Sequence, residues 1–205
     1  MADAAVRHVF FDIGGVLGSN GWDHLERARA AERFDLDPVE FQRRHDQVVG
    51  AWEEGRIDLS EYLGHAVFYR PRSFSRREFV EFMQQQSVAN PDAIALVQRL
   101  HDAGRCILFT LNNESAELNR YRLEQFGLRH LFVGFLSSCY LGIRKPDPLI
   151  YARALSIAQA DPHRTLMIDD RDGNLEPAAA RGVRVHHFTS VPGLQAALSE
   201  LRLLA

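Results

Sequence analysis

Acidic residues stand directly after two apolar runs. Asp12 follows residues 9–11, and Asp169 with Asp170 follow residues 166–168. Like charges about 4 Å apart repel by about 4 kcal/mol at an effective dielectric near 20, so such carboxylates tolerate one another only with a cation or many hydrogen bonds. Oxygen ligands of this kind suit Mg²⁺. The acids therefore indicate a magnesium site if folding brings the two runs together, and a solvated acidic turn is the alternative.

Two glycines, Gly14 and Gly15, follow Asp12 closely. They let the backbone approach a ligand, which would suit a nucleophilic carboxylate, but an Asp before two glycines is also a common turn. A GxGxxG dinucleotide-binding motif is absent from the sequence.

Polar residues at two further positions are candidates for contacts with a phosphate. Lys145 precedes Pro146 and Asp147 and could neutralise a phosphate as a point charge, although Asp147 and Pro148 also form an ordinary helix start. A second group consists of Thr110, Asn112 and Asn113, which follow an apolar run and could donate hydrogen bonds to phosphate oxygens. Each group taken alone is as well explained by a turn or a helix cap.

The alternation of helical and apolar segments predicts an α/β protein with a Rossmann-like parallel sheet flanked by helices. The predicted strands are Val6–Phe11, Cys106–Leu111, Leu131–Leu136, Thr165–Ile168 and Val183–Phe188. The predicted helices between them are Pro91–His101, Ser115–Phe126, Pro148–Ala158 and Ala178–Arg181. Ligands bind beyond the carboxyl ends of the strands in such a sheet, which is where the candidate residues lie.

The segment 18–89 lacks a convincing strand and is too long for a structureless loop. Helix signals occur at Trp22–Phe34, at Asp37 with Pro38, at Ser60, and at Ser75, whose capping box is completed by Glu78. We therefore predict an inserted helical cap over 18–89, and a core domain formed by 1–17 and 90–205.

Composition bounds the function. The 205 residues are 46% hydrophobic and carry a formal charge of -3, which gives no general attraction to nucleic acid or to an anionic membrane. Cys106 and Cys139 form no CxxC pair and are predicted to be buried thiols. The sequence shows no signal-peptide core and no run of eighteen apolar residues, so we expect a cytoplasmic protein that acts on a small molecule. Its oligomeric state is not indicated.

Taken together and in this order, the motifs resemble those of the haloacid dehalogenase-like superfamily, in the subgroup with a helical cap inserted after the first motif. The resemblance covers nearly the whole chain. It is carried by Asp12, residues 142–147 and 168–170, Asn174, Ala178, Gly182 and the cap run 52–57.

The resemblance implies a phosphatase mechanism. Asp12 would be the nucleophile that takes the phosphoryl group, and Lys145 would neutralise the phosphoryl oxygens. Mg²⁺ would be bound by Asp12, the backbone carbonyl of Gly14 and Asp170, with Asp169 assisting. Phosphoryl transfer depends mainly on an in-line nucleophile, a divalent cation and fixed positive charge, and these residue types supply them.

The sequence departs from the family pattern at two positions. Gly14 replaces the second Asp that most family phosphatases use as general acid and base, and Leu111 stands where Ser or Thr is usual in the second motif. The phosphate contact therefore falls to Asn112, with Thr110 in reserve and Asn113 beside them.

The main hypothesis is a Mg²⁺-dependent phosphatase of a small phosphorylated metabolite such as a sugar phosphate. The alternatives are a catalytically degenerate binding or regulatory protein, suggested by Gly14 and Leu111, and a metal-independent 2-haloacid dehalogenase, a class that also lacks the second acid. Other polar features carry less weight. We expect packing in the core, rather than a pocket role, for Trp22, His24, Trp52 and Glu53. We expect a solvated surface, rather than anion steering, for the arginines Arg70, Arg72, Arg76 and Arg77. We expect a strand end, rather than a metal site, at His186 and His187.

Overall fold

The computed structural model describes residues 5–204 and is built around a parallel sheet. Within these residues the strands are β1 (His8–Phe11), β2 (Ile107–Asn112), β3 (Gly134–Ser137), β4 (Thr165–Asp169) and β5 (Arg184–His187). They are arranged in the order β3-β2-β1-β4-β5, and every neighbouring pair is parallel. The predicted fold class, a Rossmann-like α/β sheet flanked by helices, is confirmed. Residues 1–4 and 205 of the predicted core segments lie outside the described residues.

Ten α-helices accompany the sheet in residues 5–204. They are α1 (His24–Arg33), α2 (Pro38–Glu53), α3 (Leu59–Ala66), α4 (Arg76–Gln85), α5 (Pro91–Ala103), α6 (Ala116–Gln125), α7 (Ser138–Leu141), α8 (Pro148–Ala158), α9 (Asp172–Ala179) and α10 (Val191–Glu200). Short 3-10 helices cover Leu128–His130 and Pro162–Arg164.

Several helix starts lie where the sequence predicts them, because local caps define them. The side chain of Asn90 accepts a hydrogen bond at the start of α5, Ser75 and Glu78 form the predicted capping box of α4, and Asp147 caps α8. Helix α3 begins earlier than predicted, since Asp58 rather than Ser60 is its cap and forms a capping box with Glu61.

Other boundaries differ from the prediction. Helix α9 begins at Asp172 rather than at Ala178, so the acidic run continues directly into a helix. Strand β3 begins only at Gly134, because Leu131 and Phe132 are buried against the apolar core after a 3-10 turn. Helices α7 and α10 were not predicted from the sequence, and the single turn of α7 is too short for a periodic signal.

The sheet is covered on both faces, as a parallel sheet requires. Alternate residues of β1 enter different apolar clusters: Val9 and Phe11 pack with α5 and α10, whereas Phe10 packs with α8 and α9. Both faces of β1 are therefore apolar, which explains why its residues form an uninterrupted hydrophobic run.

Helices α1–α4 lie between β1 and α5 in the chain and share an apolar cluster, to which Leu118 of α6 also belongs. Its fully buried members include Trp52, Tyr62 and Phe79. The boundaries of a separate cap domain at 18 and 89 stay a prediction. Glu117 of α6 links this cluster to the sheet side, because its carboxylate accepts hydrogen bonds from the Leu59 amide at 3.0 Å and Trp52 Nε1 at 3.3 Å.

Both cysteines are free, and each is half-buried rather than buried as predicted. Burial raises the pKa of Cys106 to about 11 and that of Cys139 to about 12, so both stay protonated near neutral pH. In residues 5–204 no helix combines the length and the apolar character that a bilayer crossing demands.

Candidate active site

The two acidic positions predicted from the sequence meet at the carboxyl ends of adjacent strands. Phe11 of β1 pairs with Ile168 of β4, so Asp12 and Asp169 come next on neighbouring strands. The amide of Asp12 continues the ladder by donating to the Ile168 carbonyl at 2.9 Å. Strand order reverses between β1 and β4, which is where open α/β sheets bind ligands.

Lys145 joins the two carboxylates. Its Nζ lies 3.2 Å from Asp12 Oδ1 and 2.5 Å from Asp169 Oδ2, and the residue is 3% exposed. Burial alone would lower the pKa of Lys145, but the two carboxylates outweigh this effect and raise it. The lysine is therefore a fixed positive charge.

Asn113 holds the loop that carries Lys145. The Lys145 amide donates to Asn113 Oδ1 at 2.8 Å, and Asn113 Nδ2 donates to the Lys145 carbonyl at 2.7 Å. Asn113 also lines the central cavity. Its amide thus fixes the lysine backbone across 32 residues of sequence.

Asp169 and Asp170 differ in their surroundings although they are neighbours. Asp169 Oδ1 accepts hydrogen bonds from the Arg171 amide at 2.9 Å and from Asn174 Nδ2 at 3.0 Å. Asp170 Oδ1 is buried and has no hydrogen-bond partner among the described residues. Burial and the neighbouring Asp169 carboxylate raise the pKa of Asp170, so a cation at this oxygen would relieve an unfavourable environment.

Three carboxylates at the strand ends form a site that suits a divalent cation. Asp12, Asp169 and Asp170 each offer a carboxylate oxygen, and these oxygens lie within 4.8 Å of one another. Gly15 allows the close approach of Asp170: a Cβ on Gly15 would lie 2.1 Å from Asp170 Oδ2, and its φ is +71°. An oxygen-only donor set with an unpartnered carboxylate oxygen suits Mg²⁺.

The two oxygens of Asp12 are not equivalent. Oδ1 accepts a hydrogen bond from the Ile13 amide at 2.8 Å and faces Lys145, whereas Oδ2 accepts no hydrogen bond from the part of the chain that is described. Burial raises the pKa of Asp12 to about 7, against the lowering effect of Lys145. Oδ2 is therefore the oxygen available to an electrophile.

Two predicted phosphate contacts need correction. Asn112 is 1% exposed, and its side chain is used inside the protein: it donates to Asn119 Oδ1 at 3.2 Å and accepts from Ser137 Oγ at 2.9 Å. Thr110 is fully buried. Neither residue is among those that line the cavity, because β2 continues through Asn112 within a sheet covered on both faces, and Asn113 is the first side chain beyond the strand end.

Polar residues that the sequence did not indicate surround Gly14. A Cβ on Gly14 would lie 3.3 Å from Asn20 Oδ1 and 3.7 Å from Arg122 Nη1. Arg122 forms a buried ion pair with Glu114 at 3.3 Å, and burial raises the pKa of Glu114 to about 7 although Arg122 acts to lower it. The one available signal was that Arg122 lies four residues after the buried Leu118, on the covered face of α6.

The cavity above the strand ends has a volume of about 580 Å³ and is lined by both the sheet side and helices α1 and α2. Of the residues considered for a pocket role, the cavity is lined by Trp22, Trp52 and Glu53. His24 does not, because its side chain is 72% exposed and contacts Asp23. Arg27 and His45, which sequence reasoning missed, also line the cavity.

The remaining candidates lie outside this cavity. Of the arginine run, Arg70, Arg76 and Arg77 are exposed, as expected for a solvated face, while Arg72 is half-buried and donates to the Val67 carbonyl. His187 contacts Asp172 at 3.1 Å.

Comparison with known proteins identifies the class. A model of the haloacid dehalogenase-like hydrolase family matches residues 6–182, so the chain belongs to this family of hydrolases. The resemblance inferred from the motifs is thereby confirmed.

Named relatives include phosphatases. A phosphoglycolate phosphatase of Mesorhizobium japonicum is 25% identical over 82% of this chain and 62% of its own length. The sesquiterpene phosphatase astK of Aspergillus oryzae is 26% identical over 87% of this chain and 88% of its own. A bifunctional epoxide hydrolase 2 of Sus scrofa is 24% identical, and the chain spans 36% of its length. The chain thus covers less than two thirds of the length of the phosphoglycolate phosphatase and of the epoxide hydrolase.

Solved structures share the fold. A HAD family enzyme of Bacteroides thetaiotaomicron, crystallised as a magnesium complex, has a TM-score of 0.77 at 18% identity over 91% of this chain and 94% of its own. A dehalogenase with an intermediate complex has a TM-score of 0.68 at 19% identity over 96% and 98% of the two chains. Structures with this fold thus include a magnesium-bound HAD family enzyme and a dehalogenase, so the choice of reaction depends on the site.

Proposed function

We propose that the protein is a Mg²⁺-dependent phosphatase that acts on a small phosphorylated metabolite through an aspartyl-phosphate at Asp12. One observation carries the proposal: Asp12, Asp169 and Asp170 bring carboxylate oxygens within 4.8 Å of one another, and the buried Lys145 compensates only two of the three. A metal-independent dehalogenase would have no use for the buried, unpartnered oxygen of Asp170. The named phosphatase relatives support the same reaction.

In the first step Asp12 Oδ2 attacks the phosphorus atom. A carboxylate-oxygen-to-phosphorus bond forms, and the bond from phosphorus to the leaving oxygen breaks. Lys145 and the Ile13 amide hold Oδ1, which aims Oδ2 at the cavity. The ammonium group of Lys145 also neutralises charge on the equatorial phosphoryl oxygens.

Mg²⁺ would be held by Asp12, Asp170 and the backbone carbonyl of Gly14, with Asp169 assisting. When bound, it neutralises charge on the phosphoryl oxygens. Asp169 would act mainly by orienting Lys145, since the Arg171 amide and Asn174 already occupy its other lone pairs.

In the second step a water oxygen attacks the same phosphorus atom. Asp12 leaves as a carboxylate, inorganic phosphate forms, and the water proton passes to solvent or to the phosphate. Position 14 has no side chain to donate or accept a proton, so the leaving oxygen takes its proton from water or from another group. Leaving groups that need little protonation are therefore favoured.

Residues 18–89 are proposed to form the cap domain, and the cavity face of α1 and α2 is proposed to select the substrate. A soluble phosphorylated metabolite fits the cavity of about 580 Å³. We expect the reaction to take place in the cytoplasm.

The reaction class is tested by assaying the purified protein against phosphorylated metabolites and 2-haloacids, with Mg²⁺ and with a chelator. Phosphate release that requires Mg²⁺ supports the proposal. Halide release that is insensitive to the chelator would instead assign a dehalogenase, which the glycine at position 14 keeps as the second candidate. No turnover on either panel would favour a binding or regulatory protein on a phosphatase scaffold.

A further inference from the structure

Arg27 is a buried cation in the wall of the cavity. The residue is 8% exposed and lies on α1, and no carboxylate of the described residues lies within 4.0 Å of its guanidinium. Its hydrogen bonds go to neutral groups, from Nη1 to the Trp22 carbonyl at 2.6 Å and from Nε to Gln42 Oε1 at 3.0 Å. These bonds use two of the five guanidinium N–H donors, and the other three have no acceptor among residues 5–204, which leaves them for a ligand.

Every other cation that lines the cavity has a carboxylate partner. The pairs are Lys145 with Asp12 and Asp169, Arg122 with Glu114, Arg144 with Glu53, and Arg171 with Asp23. Burying a charge without an ionic partner is costly, and the two neutral acceptors of Arg27 offset only part of that cost. An anion bound in the cavity would give Arg27 the ionic partner that the other cations of the cavity already have.

His45 lines the same cavity and is uncharged. Burial and the nearby charge of Arg27 lower its pKa to about 3. Its Nδ1 is 2.9 Å from the hydroxyl of Tyr62, which already accepts a hydrogen bond from Trp22 Nε1. Among the described residues His45 Nδ1 is the acceptor within reach of the buried Tyr62 O–H group, so satisfying that donor directs the Tyr62 proton to Nδ1 and leaves the imidazole proton on Nε2.

This wall therefore provides one positive charge, from Arg27, and one neutral N–H group, from His45. A single positive charge matches a monoanion, and the planar guanidinium fork matches the two oxygens of a carboxylate. A second phosphate, with a larger charge, fits this wall less well.

We propose that the wall formed by Arg27 and His45 binds a carboxylate of the substrate, so that the substrate is a phosphorylated carboxylic acid, and an acyl or aryl leaving group would also meet the requirement that Gly14 sets. The inference rests on the proposed phosphatase function and specifies its substrate class. The phosphoryl group would lie at Asp12 and Lys145, and the carboxylate at the helical wall of the same cavity.

The test uses non-hydrolysable phosphonates, so that binding is measured apart from turnover. Binding of 3-phosphonopropionate and of its neutral amide to the full chain in Mg²⁺ buffer is measured by calorimetry. We expect the acid to bind about tenfold to hundredfold more tightly than the amide, the range for hydrogen bonds to charged groups. In R27Q this preference should fall to about onefold, and R27K should lose several-fold of it because the guanidinium fork is gone.

R33Q is the matched control, since Arg33 is exposed on the same helix and the charge change is identical. It should keep the wild-type preference. Equal binding of acid and amide to the wild type overturns the inference even if R27Q does not fold, and so does an unchanged preference in R27Q. If those results accompany Mg²⁺-dependent phosphate release, the phosphatase function stands and only the substrate class is wrong. Failure of both phosphonates to bind, together with no phosphate release, overturns both.

Discussion

The sheet end and the helical wall of the cavity solve the problem of buried charge in different ways. At the sheet end, Lys145 contacts Asp12 and Asp169 directly at 3.2 and 2.5 Å. At the helical wall, Arg27 contacts only a carbonyl and an amide, and His45 is neutral.

The difference follows from how each region is positioned. At the sheet end Asp12 directly follows β1 and Asp169 is the last residue of β4, so ladder hydrogen bonds fix the backbone of both acids, while Asn113 holds the loop of Lys145 through two hydrogen bonds. The helical wall consists of longer side chains on α1 and α2, held by aromatic packing such as the stacking of Trp52 on Tyr62 at 4.0 Å. We conclude that the sheet end is preorganised for chemistry and that the helical wall is suited to recognition.

Arg122 ties the two regions together. From α6 it donates to the Asn20 carbonyl at 3.0 Å and to Ser87 Oγ at 3.2 Å, so it contacts both chain segments that connect α1–α4 to the sheet. Gly21 allows this approach, because a Cβ there would lie 1.4 Å from Arg122 Nη2.

The largest expected effect is at the sheet end, in D12N. The amide keeps the shape and loses the nucleophile, so turnover should fall by about 10⁴-fold or more while circular dichroism stays unchanged. D147N is the control, because Asp147 also lines the cavity and Asn caps a helix as well as Asp does. Its activity should stay within a few-fold of the wild type. Substantial turnover by D12N of verified mass, with no deamidation, would remove Asp12 from its role.

The next effect separates the acids at the end of β4. D170N should weaken Mg²⁺ binding by about tenfold to hundredfold, whereas D172N should change it little, because the Asp172 side chain is 72% exposed and contacts His187. Calorimetric Mg²⁺ titration, with the Mg²⁺-induced rise in Tm as a second measurement, compares the two variants. Equal affinities in both would contradict the assignment.

A smaller effect probes the helical wall. Y62F removes the hydroxyl that accepts from Trp22 and contacts His45, so it should lower the free energy of unfolding by about 1–3 kcal/mol. Y140F, at a tyrosine that is 59% exposed, should change it by less than about 0.5 kcal/mol. Urea unfolding measures both. If Y62F costs no more than Y140F, the hydrogen-bond network of this wall does not contribute to stability.

The smallest expected effect concerns the missing proton donor. We expect the wild type to cleave acyl phosphates, aryl phosphates and sugar 1-phosphates faster than alkyl phosphates such as a sugar 6-phosphate, because their leaving groups need less protonation. G14D should raise kcat/KM for alkyl phosphates by about tenfold relative to aryl phosphates, part of the about 10²- to 10⁴-fold that general acid catalysis contributes. The backbone of Gly14 is outside the left-handed region, and a Cβ there needs Asn20 to move by only a few tenths of an ångström.

G173D adds the same charge in open space on α9 and should leave that ratio unchanged. A wild-type protein that hydrolyses both classes equally fast, with chemistry rate-limiting, would mean that another group supplies the proton.

The sequence by itself predicted the parallel sheet and the strand ends that carry Asp12 and Asp169, the two carboxylates that contact Lys145. These features depend on local rules: apolar runs form strands, and parallel strands present their carboxyl ends at one edge. The sequence placed the end of the second strand at Leu111, but β2 continues through Asn112, so Thr110 and Asn112 lie within a sheet that is covered on both faces.

Tertiary structure alone decided the helical wall and the surroundings of Gly14. Arg27 and Arg122 are ordinary helical arginines in the sequence, and the spacing of Arg122 from Leu118 becomes informative only once the covered face of α6 is known. Arg27 donates to the Trp22 carbonyl, five positions away, and Arg122 donates to the Asn20 carbonyl, 102 positions away, so the fold brings these groups together. A long, flexible side chain reaches a charged site only when the helices around it are packed, so its role is fixed by the fold rather than by its neighbours in the chain.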